Sequence, residues 1–258
     1  MNDLNLVQNS DQAVEELIGE HYAEWLMNKV GHDVSNWPEV HNLASIQPKI
    51  EKIRKFMLQL FLADEALVGA REGDPGFLRF AIANLSESPD PAAEAALEIF
   101  EARRQDEMAG HRLEKGIVVT KNRELWVKLL KALEIPQEEI NRIEPKEAAR
   151  NYIAELSDVY SNAEWQTVVG AFAALQRGLI EEYTAVFAFL KNNTQLAAGD
   201  LELFAQIESK QHKHLLDMSH LLEKIAFDQE TKTLIWEGVE RHLTNKKEFY
   251  SALIKNLE

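Results

Sequence analysis

The chain contains no cysteine. That excludes disulfide scaffolds, thiolate zinc sites, iron–sulfur ligation by cysteine and any thiol nucleophile. Glycine and proline are scarce, at 11 and 7 of 258 residues, so few points interrupt regular structure. Positive charge is also in short supply. Lys and Arg number 28 against 43 Asp and Glu, a formal charge of −15, which argues against non-specific binding to nucleic acid or anionic lipid. No apolar run approaches the ~18 residues of a membrane span, and the polar, acidic start shows no secretory leader; the expectation is a soluble, cytoplasmic protein. Phosphate-binding glycine loops, Gly-x-Ser-x-Gly and His-Glu-x-x-His are absent.

What is present is helical periodicity. Apolar residues recur at i, i+3 and i+4, and no alternating strand pattern competes. The spacing predicts helices over 11–30, 47–72, 77–87, 91–118, 122–134, 146–159, 162–193, 199–226 and 229–256. Asp74-Pro75-Gly76, Ser88-Pro89-Asp90-Pro91, Ile135-Pro136 and Glu144-Pro145 punctuate them. No stretch reads as a flexible linker or a repeat, so one all-α domain over 1–258 is the expected architecture. Lys121-Asn122-Arg123 and Lys246-Lys247 read as solvated basic clusters. The last helix, with Trp236, Val239, Phe249, Tyr250 and Leu253, covers the bundle or supplies a homodimer contact.

Function is sought in polar residues that share a face with apolar ones. In 91–118, Ala93, Ala96, Phe100 and Val118 define a stripe that Glu107, His111 and Glu114 join. In 199–226, Gln211 and His214 lie among Phe204, Ile207, Met218 and Leu222; Glu208 flanks them, His212 sits about 100° away and His220 lies opposite. In 162–193, Gln176 aligns with Trp165, Phe172, Leu179, Tyr183, Phe187 and Leu190, with Glu181 and Glu182 off the line. In 47–72, Asp64 shares the face of Ile53, Met57, Leu60 and Leu67. Such groups need partners or a cation once buried. A buried network with Arg103 and Arg104 is one solution; carboxylates and imidazoles converging on two iron or manganese ions are the other.

Three segments resemble the haem-oxygenase-like diiron oxidases and oxygenases, a helical superfamily. They are Asp106-Glu107-Met108-Ala109-Gly110-His111 with Leu129 to Pro136 after it, Gly170 to Arg177, and Asp200 to Phe204 running on to His214. The resemblance spans about 49–230 and implies a haem-oxygenase-like bundle; a ferritin-like bundle is the alternative. It implies iron, one or two ions, on Glu107, His111, Glu114, Gln176, Gln211 and His214, with Glu107, His111 and His214 catalytic. The family's middle Glu falls on Gln176, and its His-Asp-His set falls on Ile207, Gln211 and His214. Haem is not implied, since His21 is a candidate axial ligand by position only. The implied activity is oxidation of a small organic substrate by dioxygen, with Phe172, Tyr183 and Phe204 lining the substrate cavity. The alternatives are a metal-free relative that binds or transforms a small molecule by acid–base chemistry, and a non-enzymatic interaction module.

Overall fold

The computed structural model describes residues 17, 19–69, 76–108, 111–112, 118–119 and 121–257. Its helices are α1 (Glu20–Ser35), α2 (Pro38–His41), α3 (Ile50–Val68), α4 (Phe77–Glu87), α5 (Ala92–Met108), α6 (Lys121–Ala132), α7 (Gln137–Arg142), α8 (Glu147–Asn162), α9 (Trp165–Asn193), α10 (Glu202–Ile225) and α11 (Gln229–Lys255). Single 3₁₀ turns, Leu43–Ser45 and Ala198–Leu201, precede α3 and α10.

Local chemistry sets several boundaries. Pro38 stands at the first position of α2, where its missing N–H costs nothing. Asp90 accepts from Ala92 N at 2.9 Å at the start of α5, and Asp228 caps α11 by accepting from Thr231 N at 2.8 Å. Gly69 ends α3 at φ 68°, the left-handed conformation in which only glycine avoids a steric cost.

The long helix read over 91–118 is corrected. It stops at Met108, and His111–Arg112 pairs antiparallel with Val118–Val119. The sequence carries a reason: glycine, as at 110, is a poor helix former, and Ile117-Val118-Val119-Thr120 is a β-branched run whose composition favours strand over helix. His111 therefore does not continue the α5 stripe, and Glu114 lies outside the described residues. The first helix is also displaced, to Glu20–Ser35, and part of the 11–30 reading lies outside the described residues.

α9 is the hub. At 29 residues it runs about 43 Å, and its buried side chains fill the centre between α1, α10 and α11. Gly170 and Gly238 let α9 and α11 cross closely: a Cβ on Gly170 would sit 1.9 Å from Ile235 O, and one on Gly238 1.9 Å from Thr167 O. Phe249, Tyr250 and Leu253 are buried within the chain, so this face of α11 covers the bundle. Arg241 ties α11 to α8 through Glu155 at 2.7 Å and Asp158 at 3.0 Å. No helix among the described residues is long and apolar enough to cross a membrane.

Candidate functional site

Between α3, α5, α6, α9 and α10 the bundle encloses a polar cluster around Asp64. The Asp64 carboxylate accepts from Tyr183 Oη at 2.9 Å on one oxygen and from Trp126 Nε1 at 2.8 Å on the other. Burial pushes its pKa up to about 6, and the neighbouring Glu107 charge pushes the same way against the two donors. Burial and Asp64 also hold the Tyr183 hydroxyl well above its ordinary pKa, so Tyr183 keeps its proton.

One turn along α5 from Arg103, Glu107 pairs with that guanidinium at 2.6 Å, both side chains being buried. Asn122 donates to the other Glu107 oxygen at 2.5 Å. Arg103 also contacts the imidazole of His214, with Nη1 2.7 Å from Nε2. Burial and then Arg103 lower His214 to about 4, so the ring is neutral at pH 7 and accepts from the guanidinium. Arg123 pairs with Glu65 at 2.6 Å on the same side of the cluster. The reading of Lys121-Asn122-Arg123 as solvated is thus corrected: Asn122 and Arg123 turn inward because two buried carboxylates require donors.

These groups face a cavity of about 20 Å³, room for one or two waters, lined by Asp64, Arg103, Glu107, Asn122, Tyr183 and Gln211 among others. Gln211 Oε1 has no hydrogen-bond partner, and neither amide atom of the fully buried Gln176 has one. Such buried orphans are costly unless something else meets them. On the far side of Asp64 and Tyr183 a second small cavity reaches Glu182 and Lys246. These two form a buried ion pair at 3.0 Å, and the Lys246 ammonium lies 4.9 Å from the centre of the Tyr152 ring. The expectation that Lys246 is solvated is corrected: it is 5 % exposed, held charged by Glu182 and Tyr152 against burial.

Glu107, Gln176, Gln211 and His214 are all buried, and Asp64, Glu107 and Gln211 share one cavity. His212 and His220 face solvent. Of the residues expected to line a substrate cavity, Tyr183 borders the polar one and joins Phe204 along a separate groove between α9 and α10. Phe172 packs on Phe100 instead, ring centres 4.4 Å apart. Phe187, read as buried, is 36 % exposed on that groove.

The residues present do not fit a pair of iron ions. The space between Glu107 and His214 is taken by the Arg103 guanidinium, a fixed positive charge bonded to both. Of the positions that the resemblance implies as ligands, Gln176 and Gln211 are neutral, and Ile207 beside them is apolar. Among the described residues no group of three or more His, Asp or Glu is placed to hold a metal.

Glu182, placed off the buried line by the sequence, is 2 % exposed, so that reading is corrected along with the one for Lys246; His242, which no sequence feature singled out, is interior as well. A signal was there. Leu175, Leu179, Glu182, Val186 and Phe189 follow one helical stripe, as do Val239, His242, Lys246, Phe249 and Leu253.

Comparison with known proteins agrees with this architecture. The TENA/THI-4/PQQC family model matches residues 78–190, a little under half of the chain. A CADD-like protein of unknown function from Nostoc punctiforme superposes with a TM-score of 0.69 at 15 % identity, over 91 % of this chain and 98 % of that one. A domain of unknown function with a haem-oxygenase-like fold from Shewanella denitrificans gives 0.68 at 12 % identity, over 90 % of both. A putative TenA-like thiaminase from Sulfolobus solfataricus gives 0.53 at 14 % identity, over 90 % of this chain and 95 % of that one. No curated protein sequence matches the chain. Helical content, connectivity and these superpositions together give one conclusion: the chain has the all-α haem-oxygenase-like fold.

Proposed function

We propose that the chain is a metal-independent protein of this fold that binds a small organic molecule at Asp64 and acts on it by acid–base chemistry. One observation carries the reading: a carboxylate oriented by Tyr183 and Trp126, with its pKa raised to about 6, beside a cavity that also presents an unpartnered Gln211 oxygen. A general base is most effective when its pKa lies near the working pH, and Asp64 is mostly ionised yet appreciably basic at pH 7.

The division of labour follows from the partners. Asp64 accepts a proton from the bound molecule. Tyr183, which keeps its own, holds the carboxylate in place and moves with it between donor and acceptor roles. Glu107 is committed to Arg103 and Asn122, so its role is to raise Asp64 and shape the cavity. The lining carries Asp64, Glu65 and Glu107 against Arg103 and Arg123, one negative charge in excess once Asp64 is ionised. A cationic or N–H-rich ligand suits that balance. With no cysteine in the chain, transfer through a thiol intermediate is excluded. A putative thiaminase shares the fold, so the scaffold is compatible with a small-molecule enzyme.

The test uses two arms. Fragments bearing amine or amidine groups, benzamidine among them, are screened by thermal shift at pH 7.5 on wild type and Asp64→Asn. Stabilisation of the wild type that the variant loses is the expected result. In the second arm the protein is loaded anaerobically with Fe(II) and desalted. Two irons retained per chain would overturn the metal-independent reading, and no ligand-induced shift across the panel would leave an interaction module as the better account.

A further inference from the structure

The Asp64 cavity admits little more than a head group, yet a much larger space adjoins it. A groove of about 550 Å³ runs between the second half of α9 and the start of α10, lined by Ile180, Thr184, Phe187, Leu201, Phe204 and Ala205 among others. It shares two residues with the polar cavity, Tyr183 and Ile207, which form the common wall. An aromatic series links surface to site. Phe187 meets Phe204 edge-on at 5.7 Å, Phe204 meets Tyr183 edge-on at 5.9 Å, and the Tyr183 hydroxyl donates to Asp64. The two charged groups on the groove, Lys191 and Glu208, are of opposite sign, so it presents an apolar surface with no net charge.

Phe187 at 36 % exposed is an expensive way to end a core, since a phenyl face left in water forfeits the burial its neighbours gain. Ile207 belongs to both linings, and its aliphatic side chain extends the groove's apolar wall to the polar cavity. We infer that this groove seats the apolar body of the ligand whose head group enters the Asp64 cavity, so that the ligand is an amphiphile: a small cationic, hydrogen-bond-donating head joined to an aliphatic or aromatic body. The inference rests on the functional reading above and adds the substrate class. The body lies along Phe204 and Phe187, and the head passes between Tyr183 and Ile207 by a rotation of the Ile207 side chain. Arg103 and Glu107 close the cavity behind the head, which limits it to a few atoms.

The experiment is a chain-length series of primary n-alkylamines, butyl to octyl, titrated calorimetrically into the full-length protein at pH 7.5. Each added methylene that enters the groove should tighten binding roughly fourfold. Thr184 and Ala205 are exposed, so Thr184→Trp and Ala205→Trp fill the groove without disturbing the core. Both should flatten the climb. Asp64→Asn should weaken every amine by a similar factor and leave the climb intact. A flat series in the wild type, with Asp64→Asn still weakening binding, overturns the groove and leaves the head site standing. A climb untouched by either tryptophan places the body elsewhere and overturns it as well. A climb that Asp64→Asn does not shift overturns the head site instead, as does an n-alkylsulfonate series that binds as tightly as the amines.

Discussion

Asp64 is held by two good donors and still has a raised pKa, because desolvation and Glu107 together outweigh them. The sign of its effect on stability follows. With a folded pKa near 6 and an ordinary value of 3.8, the native state binds the proton more tightly, so stability falls as pH rises from about 4 to above 6. Asp64→Asn removes that cost, because the amide oxygen can accept from Trp126 while its NH₂ donates to a Tyr183 hydroxyl that turns to accept. The shift bounds the gain at about 3 kcal/mol, and partial exposure of Asp64 screens it to about 1 kcal/mol. Melting at pH 7.5 should rise by roughly 2–4 °C in the variant, with the difference vanishing near pH 4. An equal or lower melting temperature at pH 7.5 would mean that Asp64 is not under electrostatic strain. That an acid which binds ligand also weakens the fold is the expected signature of a functional group. Sequence periodicity placed Asp64, Glu107, Gln176, Gln211 and His214 towards the interior, because a polar residue on an apolar stripe is visible without coordinates. Periodicity also put Arg103 one turn before Glu107 on the same face, and their expected buried pairing is present. What it could not show is that His214 of α10 meets the same guanidinium, since the rotation of one helix says nothing of its neighbour.

At the scale of elements, the helices with unbroken apolar stripes were legible. α4, α8, α9, α10 and α11 lie within a few residues of their expected bounds. The end of α5 was not, since Ala-rich sequence before Gly110 and a β-branched run after it were read as one amphipathic segment. Invisible too was the closeness of α9 and α11. It depends on two glycines 68 positions apart that carry no pattern of their own. Gly170 and Gly238 present no positive φ; each serves by lacking a side chain at a point where the opposing backbone carbonyl lies 1.9 Å from a would-be Cβ. Main chain cannot rotate aside as a side chain can. Gly170→Ala or Gly238→Ala must therefore part the two helices, at a cost of about 3 kcal/mol, the upper end of overpacking. A fall in melting temperature of roughly 6–12 °C is expected of either variant. The double variant should fall by less than the sum, because the first alanine has already opened the crossing. Purely additive effects would show that the two glycines relieve separate contacts. The same separation should reach Lys246 and Glu182 further along these helices, loosening the second cavity behind Asp64.

Over the whole molecule, acid should loosen this protein well before its ordinary carboxylates titrate. Two imidazoles are buried in neutral form. His242, 1 % exposed with both ring nitrogens unpartnered, is lowered to about 3 by burial and then by Lys246. His214 is lowered to about 4 by burial and Arg103. For each, the unfolded chain binds a proton near pH 6.5 that the folded chain refuses, so their stabilisation is present above that pH and drains away as pH falls. Asp64 acts in the opposite sense between about 6 and 4, because its folded pKa is raised. One carboxyl against two imidazoles leaves a net uptake of about one proton on unfolding between pH 6 and 5. Stability should then fall by about 1.4 kcal/mol per pH unit, roughly 3–5 °C. Asp106, Asp158 and Asp228, whose pKa values are lowered, begin to contribute only below their ordinary range, so a scan from pH 7 to 5 reads the two histidines against Asp64. His242→Leu replaces an unpartnered ring beside Tyr152 with an aliphatic side chain, leaving His214 and Asp64 to cancel. The melting temperature of this variant should be nearly level from pH 6 to 5 while the wild type declines. A decline of the same slope in both would show that His242 gains no proton on unfolding, and that the acid sensitivity lies with His214 and the Arg103 cluster around it.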